Sequence, residues 1–295
     1  MFIANRAFLL IFSLFISFFL NGCEKKSENS NNATDASVSK LKILVLPDNP
    51  PFLYIDVNGK IKGFEKKIID LIEEFMNVDI EIIPVSDFSS LIAGIISKTG
   101  DMAMSAISIT EERKKSIIFS VPYHKSSIGL IYRKSSNQKR LGVQAGTYMA
   151  IFAEKLKNKD AKCKVFLYND ILSLFAALSS NAVDAIYLDY EVAFSYISKL
   201  NDEIRTKYGL VMIDGSNDPE TEMHYAIIFN KENQDLCEKI NSLIKLQKDK
   251  IEENMKKYLS SIDLSELYSN EDISSMKNEA KSKGFLINYD NIESN

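Results

Sequence analysis

The run Ser105-Ala-Ile-Ser-Ile-Thr-Glu-Glu-Arg113 ends a short apolar stretch in small hydroxyl residues and then sets one arginine at the mouth of a turn. A guanidinium offers a planar fork of donors that matches a carboxylate. Ser105, Ser108 and the backbone around Ala106 supply neutral hydrogen-bonding groups beside it. The grouping is a way to hold a free carboxylate. An isolated arginine in a polar loop is more often a solvated surface group, so the rest of the chain decides between the two.

Other chemistries find little support. Only two histidines occur, His124 and His224, outside any metal-ligand spacing, and no HExxH, CxxC or P-loop pattern is present. Neither a metal nor a nucleotide cofactor is expected. The net charge of −4, with Lys and Arg scattered along 295 residues, gives no footprint for nucleic acid. Three cysteines do not make a disulfide framework. Cys163 sits in an alternating pattern and Cys237 in a helical one, so both are expected to be buried thiols.

At the N-terminus Arg6 precedes an apolar run from Ala7 to Leu20 that is short for a membrane span and suited to a signal-peptide core. Residues 1–22 therefore read as a signal peptide. Leu20-Asn21-Gly22-Cys23 resembles the lipobox of bacterial lipoproteins, in which the exposed cysteine is acylated, although Asn21 departs from the usual small or apolar residue. An ordinary cleaved signal and an uncleaved anchor are the other readings. Residues 23–39, rich in Ser, Asn and Lys, cannot bury a core and read as a flexible tether.

The remaining chain alternates strand-like and helical runs, the pattern of an α/β protein with largely parallel sheets. Strands are expected over 41–46, 80–85, 102–106, 117–123 and 127–132. A helix beginning at Phe64 repeats Ile68, Leu71, Ile72 and Phe75 on one face, and Asp87 is placed to cap another carrying Leu91, Ile92, Ile95 and Ile96. Strand 102–106 would deliver the Ser/Arg loop at its carboxyl end, where ligands bind in open α/β sheets. After the polar run 133–140 the same rhythm restarts at Leu141, with Gly146-Thr147-Tyr148 opening a helix and a strand over 183–188. A final strand at 224–230 and a helical segment from Asn233 to Leu259 are expected to return to the first unit. The chain thus divides into lobe 1 (40–132 plus 225–262), lobe 2 (133–224) and a charged C-terminal extension (263–295).

Residues from about 41 to 260 resemble a type II periplasmic solute-binding protein of the polar amino-acid uptake family. Four ordered matches carry the resemblance: Pro50-Pro51-Phe52 with Gly63-Phe64-Glu65; Ser108-Ile-Thr-Glu-Glu-Arg113 with Phe119-Ser-Val-Pro-Tyr123; Gln144-Ala-Gly146-Thr147; and Val183-Asp184-Ala185 with Asp189. The implied fold is a two-lobe type II periplasmic-binding-protein fold, each lobe a mixed, mostly parallel sheet flanked by helices, with two crossings at the hinge. The implied activity is capture of a free amino acid and delivery to an ABC permease by a monomer, without a catalytic step. Carried over by residue, Arg113 takes the α-carboxylate with help from Ser108 and Thr147. Asp189, the Ala106 carbonyl and the Ser108 hydroxyl take the α-ammonium. Phe52 and Phe88 flank the side chain, and Asn49 stands where many relatives carry a stacking aromatic. Selectivity is expected from Asn49, Ser105, Gln144, Tyr148 and Leu188. No acid or base among those five points to a charged side chain, which favours a neutral polar or small amino acid unless Glu222 enters the cleft. The rival readings are a cyclohexadienyl or arogenate dehydratase on the same scaffold, with Glu222 or Glu65 as the acid, and a solute sensor for a signalling partner.

Overall fold

The computed structural model describes residues 40–213, 222–259, 265 and 267–286. The expected signal peptide, Cys23 and the tether lie outside the described residues.

Two five-stranded sheets organise the chain. The first runs in the order Asp79–Pro84, Lys40–Val45, Met102–Ala103, Ile228–Phe229, Ile118–Phe119. Its first three strands are parallel, while Ile228–Phe229 opposes both neighbours. The second runs Lys164–Tyr168, Arg140–Gln144, Ala185–Asp189, Ile128–Arg133, Tyr208–Ile213. Three parallel strands again come first, and Ile128–Arg133 is antiparallel to both its neighbours. A two-stranded ribbon, His124–Ser126 with Met223–Tyr225, forms the two crossings between the sheets.

Local sequence explains the elements. Ile43, Leu44 and Val45 are buried in succession, as expected of a parallel strand covered on both faces. Asp87 caps helix Phe88–Ile96 by accepting from the Ser90 N–H, and Asp170 does the same for Ile171–Ser179 through Ser173. Helix Phe64–Met76 buries Phe64, Ile68, Ile69, Leu71 and Ile72 and ends on Asn77 in the left-handed conformation. Phe75, expected on that face, is half exposed in the helix's last turn. The single helix expected from Asn233 to Leu259 is two, Gln234–Leu246 and Lys248–Leu259.

Three expectations about organisation change. Residues 127–132 are expected in lobe 1, yet strand Ile128–Arg133 lies inside the second sheet between Ala185–Asp189 and Tyr208–Ile213. Both of those partners come later in the chain, so sequence order alone hides the pairing. The boundary therefore moves to about residue 127, just past the ribbon. The strand expected over 117–123 shrinks to Ile118–Phe119, since Val121-Pro122 interrupts pairing. The extension, which carried no reading, forms helix Asn270–Ser282 packed on strand Tyr208–Ile213 of the second sheet. Cys163 precedes strand Lys164–Tyr168 rather than lying in it, and both it and Cys237 are buried free thiols. Burial pushes each thiol pKa up, so neither is a reactive thiolate.

Candidate functional site

The carboxyl ends of four parallel strands converge on one small cavity between the sheets, where ligands bind in open α/β sheets. Lys40–Val45 delivers Leu46, Asp48 and Asn49; Met102–Ala103 delivers Ser105, Ala106 and Ser108. From the other side, Arg140–Gln144 delivers Gln144, Thr147, Tyr148 and Met149, and Ala185–Asp189 delivers Asp189. Phe88, first residue of its helix, completes the wall.

Arg113 sits behind this wall, held by a short helix that Thr110 caps by accepting the Arg113 N–H. Its guanidinium is nearly buried, donates to the Ser108 carbonyl at 2.6 Å and the Gly146 carbonyl at 3.0 Å, and lies 5.2 Å from the Phe88 ring centroid. Desolvation lowers its pKa to about 10, so it stays charged near neutrality. No carboxylate pairs with it among the described residues. Two of its five N–H donors are used, and a buried guanidinium with only carbonyl partners is an incomplete electrostatic arrangement.

Across the cavity Asp189 accepts from Asn49 Nδ2 at 3.1 Å and from the Tyr225 hydroxyl. Burial raises its pKa to about 6. Asn49 Oδ1 is buried without a partner, leaving an acceptor beside a carboxylate. Asp48 accepts from Gln144 Nε2 at 3.2 Å, and burial lifts its pKa to about 6 as well. The Arg113–Gly146, Asn49–Asp189 and Asp48–Gln144 bonds all run from one lobe to the other, so the arrangement is a closed cleft. Gly146 marks how tight it is: with φ at +75°, a Cβ there would stand 2.5 Å from Ser89 Oγ on the first lobe.

Nine of the twelve sequence-predicted ligand residues line the cavity: Asn49, Phe88, Ser105, Ala106, Ser108, Gln144, Thr147, Tyr148 and Asp189. Arg113 does not line it but bonds the carbonyls of Ser108, a lining residue, and of Gly146, which precedes the lining residue Thr147. Phe52 does not line it. Phe52 is fully buried with its ring 5.5 Å from those of His124 and Tyr225, a hinge-core residue. Leu188 is also turned away, since strand alternation sends it to the face opposite Asp189. Glu65 is fully buried and accepts from the Ala106 N–H at 2.7 Å and from the Tyr123 hydroxyl. It braces Ala106, whose φ of 46° is costly for a non-glycine residue, and does not face the cavity. Glu222 pairs with Lys125 and His224 on the hinge ribbon instead of entering the cleft. Neither acid proposed for a dehydratase is at hand.

Leu46, Asp48 and Met149 were missed. Asp48 carried a usable signal, an acid three residues past the carboxyl end of strand Lys40–Val45.

Comparison with known proteins agrees with this geometry. Over 214 residues the chain is 30% identical to a probable histidine-binding protein of Campylobacter jejuni, covering 68% of this chain and 79% of the relative. An arginine-binding extracellular protein of Bacillus subtilis is 29% identical over 84% of this chain and 95% of its own length. Among solved structures, an ancestral arginine-binding protein bound to arginine superposes with a TM-score of 0.68 at 27% identity, covering 75% and 99% of the two chains. The sequence profile of the bacterial extracellular solute-binding proteins, family 3, matches residues 41–261, and the chain belongs to that family.

Proposed function

We propose that the chain captures a free amino acid with a cationic side chain in the closed cleft and hands it to an ABC permease. The observation that carries this reading is the charge balance of the cleft. Arg113 supplies one buried positive charge; Asp189 and Asp48 supply two negative ones. An α-carboxylate on the spare Arg113 donors and an α-ammonium against Asp189 and the free Asn49 acceptor complete two poles. Asp48 is then left without a cationic partner. A ligand of net charge +1 neutralises all three, and a buried charge is tolerated only when paired. The preference for a neutral ligand rested on five positions that contain no acid; Asp48, beside them, reverses it. Relatives described as binding arginine and histidine support the same class. Acylation of Cys23 would hold the lobes at the membrane, and the placement of Glu65 and Glu222 away from the cleft favours binding over dehydration.

The test is calorimetry on protein unfolded and refolded to strip retained ligand, with arginine, lysine, glutamine and glutamate. Arginine or lysine should bind at least tenfold more tightly than glutamine, the scale of one charge-assisted hydrogen bond. Asp48→Asn should erase that difference while retaining glutamine binding. Equal or tighter binding of glutamine by the wild type would defeat the cationic reading, and a response only to sugars, metals or peptides would defeat the amino-acid reading.

A pH dependence follows from the same carboxylates. Burial holds both pKa values near 6 in the ligand-free fold, above the ordinary value, so at these groups the empty protein is the form that takes up protons as pH falls. A cationic ligand needs them ionised. Affinity should therefore be flat above about pH 7 and fall below pH 6, by up to roughly tenfold per pH unit for each carboxylate. A constant Kd from pH 7.5 to 5 would rule out direct contact of the ligand's cations with these acids.

A further inference from the structure

A second cavity, of about 460 Å³, lies where the hinge ribbon meets helices Gln234–Leu246 and Lys248–Leu259, in the size range of small-ligand sites. It shares no lining residue with the amino-acid cleft. Its walls follow from two breaks in the chain. Val121-Pro122 interrupts the first sheet, and the Val121 N–H turns to Asn241 Oδ1 on the first of those helices at 2.7 Å. That helix stops at Leu246 and the second starts at Lys248. The floor is apolar: Ile244 and Ile251 are buried, with Val121, Pro122 and Met255 beside them. The rim is basic, with the exposed lysines Lys125, Lys245 and Lys248 set against Glu252 as the one acid among the described lining residues. Because the whole chain carries a net charge of −4, this opening runs against the overall balance. Several of its polar groups are already engaged. Lys125 and His224 share Glu222, at 2.8 and 3.3 Å. The Tyr123 hydroxyl donates to Glu65, and His124 bonds Glu191 at 2.8 Å. Lys248, in contrast, lies 3.8 Å from Glu252, and Lys245 pairs with no carboxylate among the described residues.

The structure assigns this cavity to a small apolar carboxylate. An apolar body seated on the floor removes its remaining apolar surface from water, and a carboxylate at the rim meets Lys245 and Lys248. The long stems of both lysines extend the apolar wall toward that charge. A neutral apolar molecule would leave the lysines unanswered, and a bare anion would leave the floor wet. Both halves of the ligand are therefore needed. The assignment rests on residues outside the cleft and holds whatever amino acid the cleft takes.

The probe is octanoate, titrated into the full chain labelled with carbon-13 on its methionine methyls, because Met255 lines this cavity and Met149 lines the cleft. Methyl NMR reads the two sites separately once Met255→Leu and Met149→Leu have identified the signals. The Met255 methyl is expected to move saturably while the Met149 methyl stays in place. Octanol and acetate, which each lack one half of the ligand, should bind at least roughly tenfold more weakly, the scale of one charge-assisted hydrogen bond or a few buried methylenes. Lys245→Glu and Lys248→Glu together should weaken octanoate by at least roughly tenfold as well. Lys256→Glu and Lys257→Glu together make the same charge change on exposed lysines outside the cavity, and should leave the affinity within about twofold. A dispersed methyl spectrum in each variant shows that the fold is intact. A Met255 methyl that does not respond overturns the assignment, as does octanol binding as tightly as octanoate. Wild-type affinity in the rim variant, or equal loss in both charge variants, overturns it too. A shift at Met149 alone would place octanoate in the cleft and overturn it likewise.

Discussion

Arg113→Ala is expected to weaken amino-acid binding by roughly 10²–10⁴-fold, because it leaves a ligand carboxylate buried without its partner, a loss of about 3–5 kcal/mol. The ligand-free fold should survive. Arg113 is held by a short capped helix, and its side chain bonds two carbonyls rather than a core carboxylate. Arg113→Lys should fail nearly as badly. One arm of the fork spans to the Ser108 carbonyl on its own lobe and the other to the Gly146 carbonyl across the cleft. A compact ammonium cannot serve both and still present a bidentate face. Calorimetry with the preferred amino acid distinguishes the outcomes, and an unchanged affinity in either variant would refute the carboxylate role. A variant whose melting temperature collapses without ligand would show instead that Arg113 holds the lobes together on its own.

The poles of the cleft were legible because their chemistry is local. Ser105 to Arg113 places hydroxyls, a strained turn and a guanidinium within nine residues, and Asp189 ends a strand whose apolar run announces it. Phe52 and Leu188 misled for opposite physical reasons. Phe52 follows the turn from which Asp48 and Asn49 reach the cleft, but its ring is absorbed by the hinge aromatics His124 and Tyr225, partners more than seventy residues away. Leu188 is one position off a two-residue period, which is enough to reverse its face. Asp48 was readable in type and place; what could not be read was that Gln144 of the other lobe comes down upon it.

Organisation followed the same division. Alternating runs announced two α/β units, since consecutive apolar residues in short strands and capped helices are properties of neighbours in sequence. Which sheet a strand joins is not such a property. Ile128–Arg133 pairs with strands that begin at Ala185 and Tyr208, and nothing within residues 120–135 encodes either partner. The extension was hidden for a related reason: its helix buries only Met276 and Ala280 along thirteen residues, too few to produce a strong periodic stripe.

Those few contacts nonetheless carry weight. Phe285→Ala is expected to destabilise the second lobe by about 3–5 kcal/mol, the usual loss for deleting a fully buried phenylalanine. Phe285 has no exposed surface, its ring centroid lies 5.8 Å from that of Tyr132, and its carbonyl accepts the buried Tyr187 hydroxyl. Losing the ring leaves a void against Tyr132 and loosens the carbonyl that satisfies Tyr187, so two buried hydroxyls of the second sheet are put at risk together. At about 2–4 °C per kcal/mol for a chain of this size, the melting temperature should fall by roughly 6–20 °C. Phe285→Leu, which keeps most of the volume, should lose much less. Truncation after residue 262 should cost at least as much as Phe285→Ala, since it also uncovers Tyr132 and Leu210, and for that reason ligand screens require the full chain. Thermal melts of the three variants decide the matter: a Phe285→Ala melt within a degree or two of wild type would mean that the extension rests on the lobe without contributing to its core.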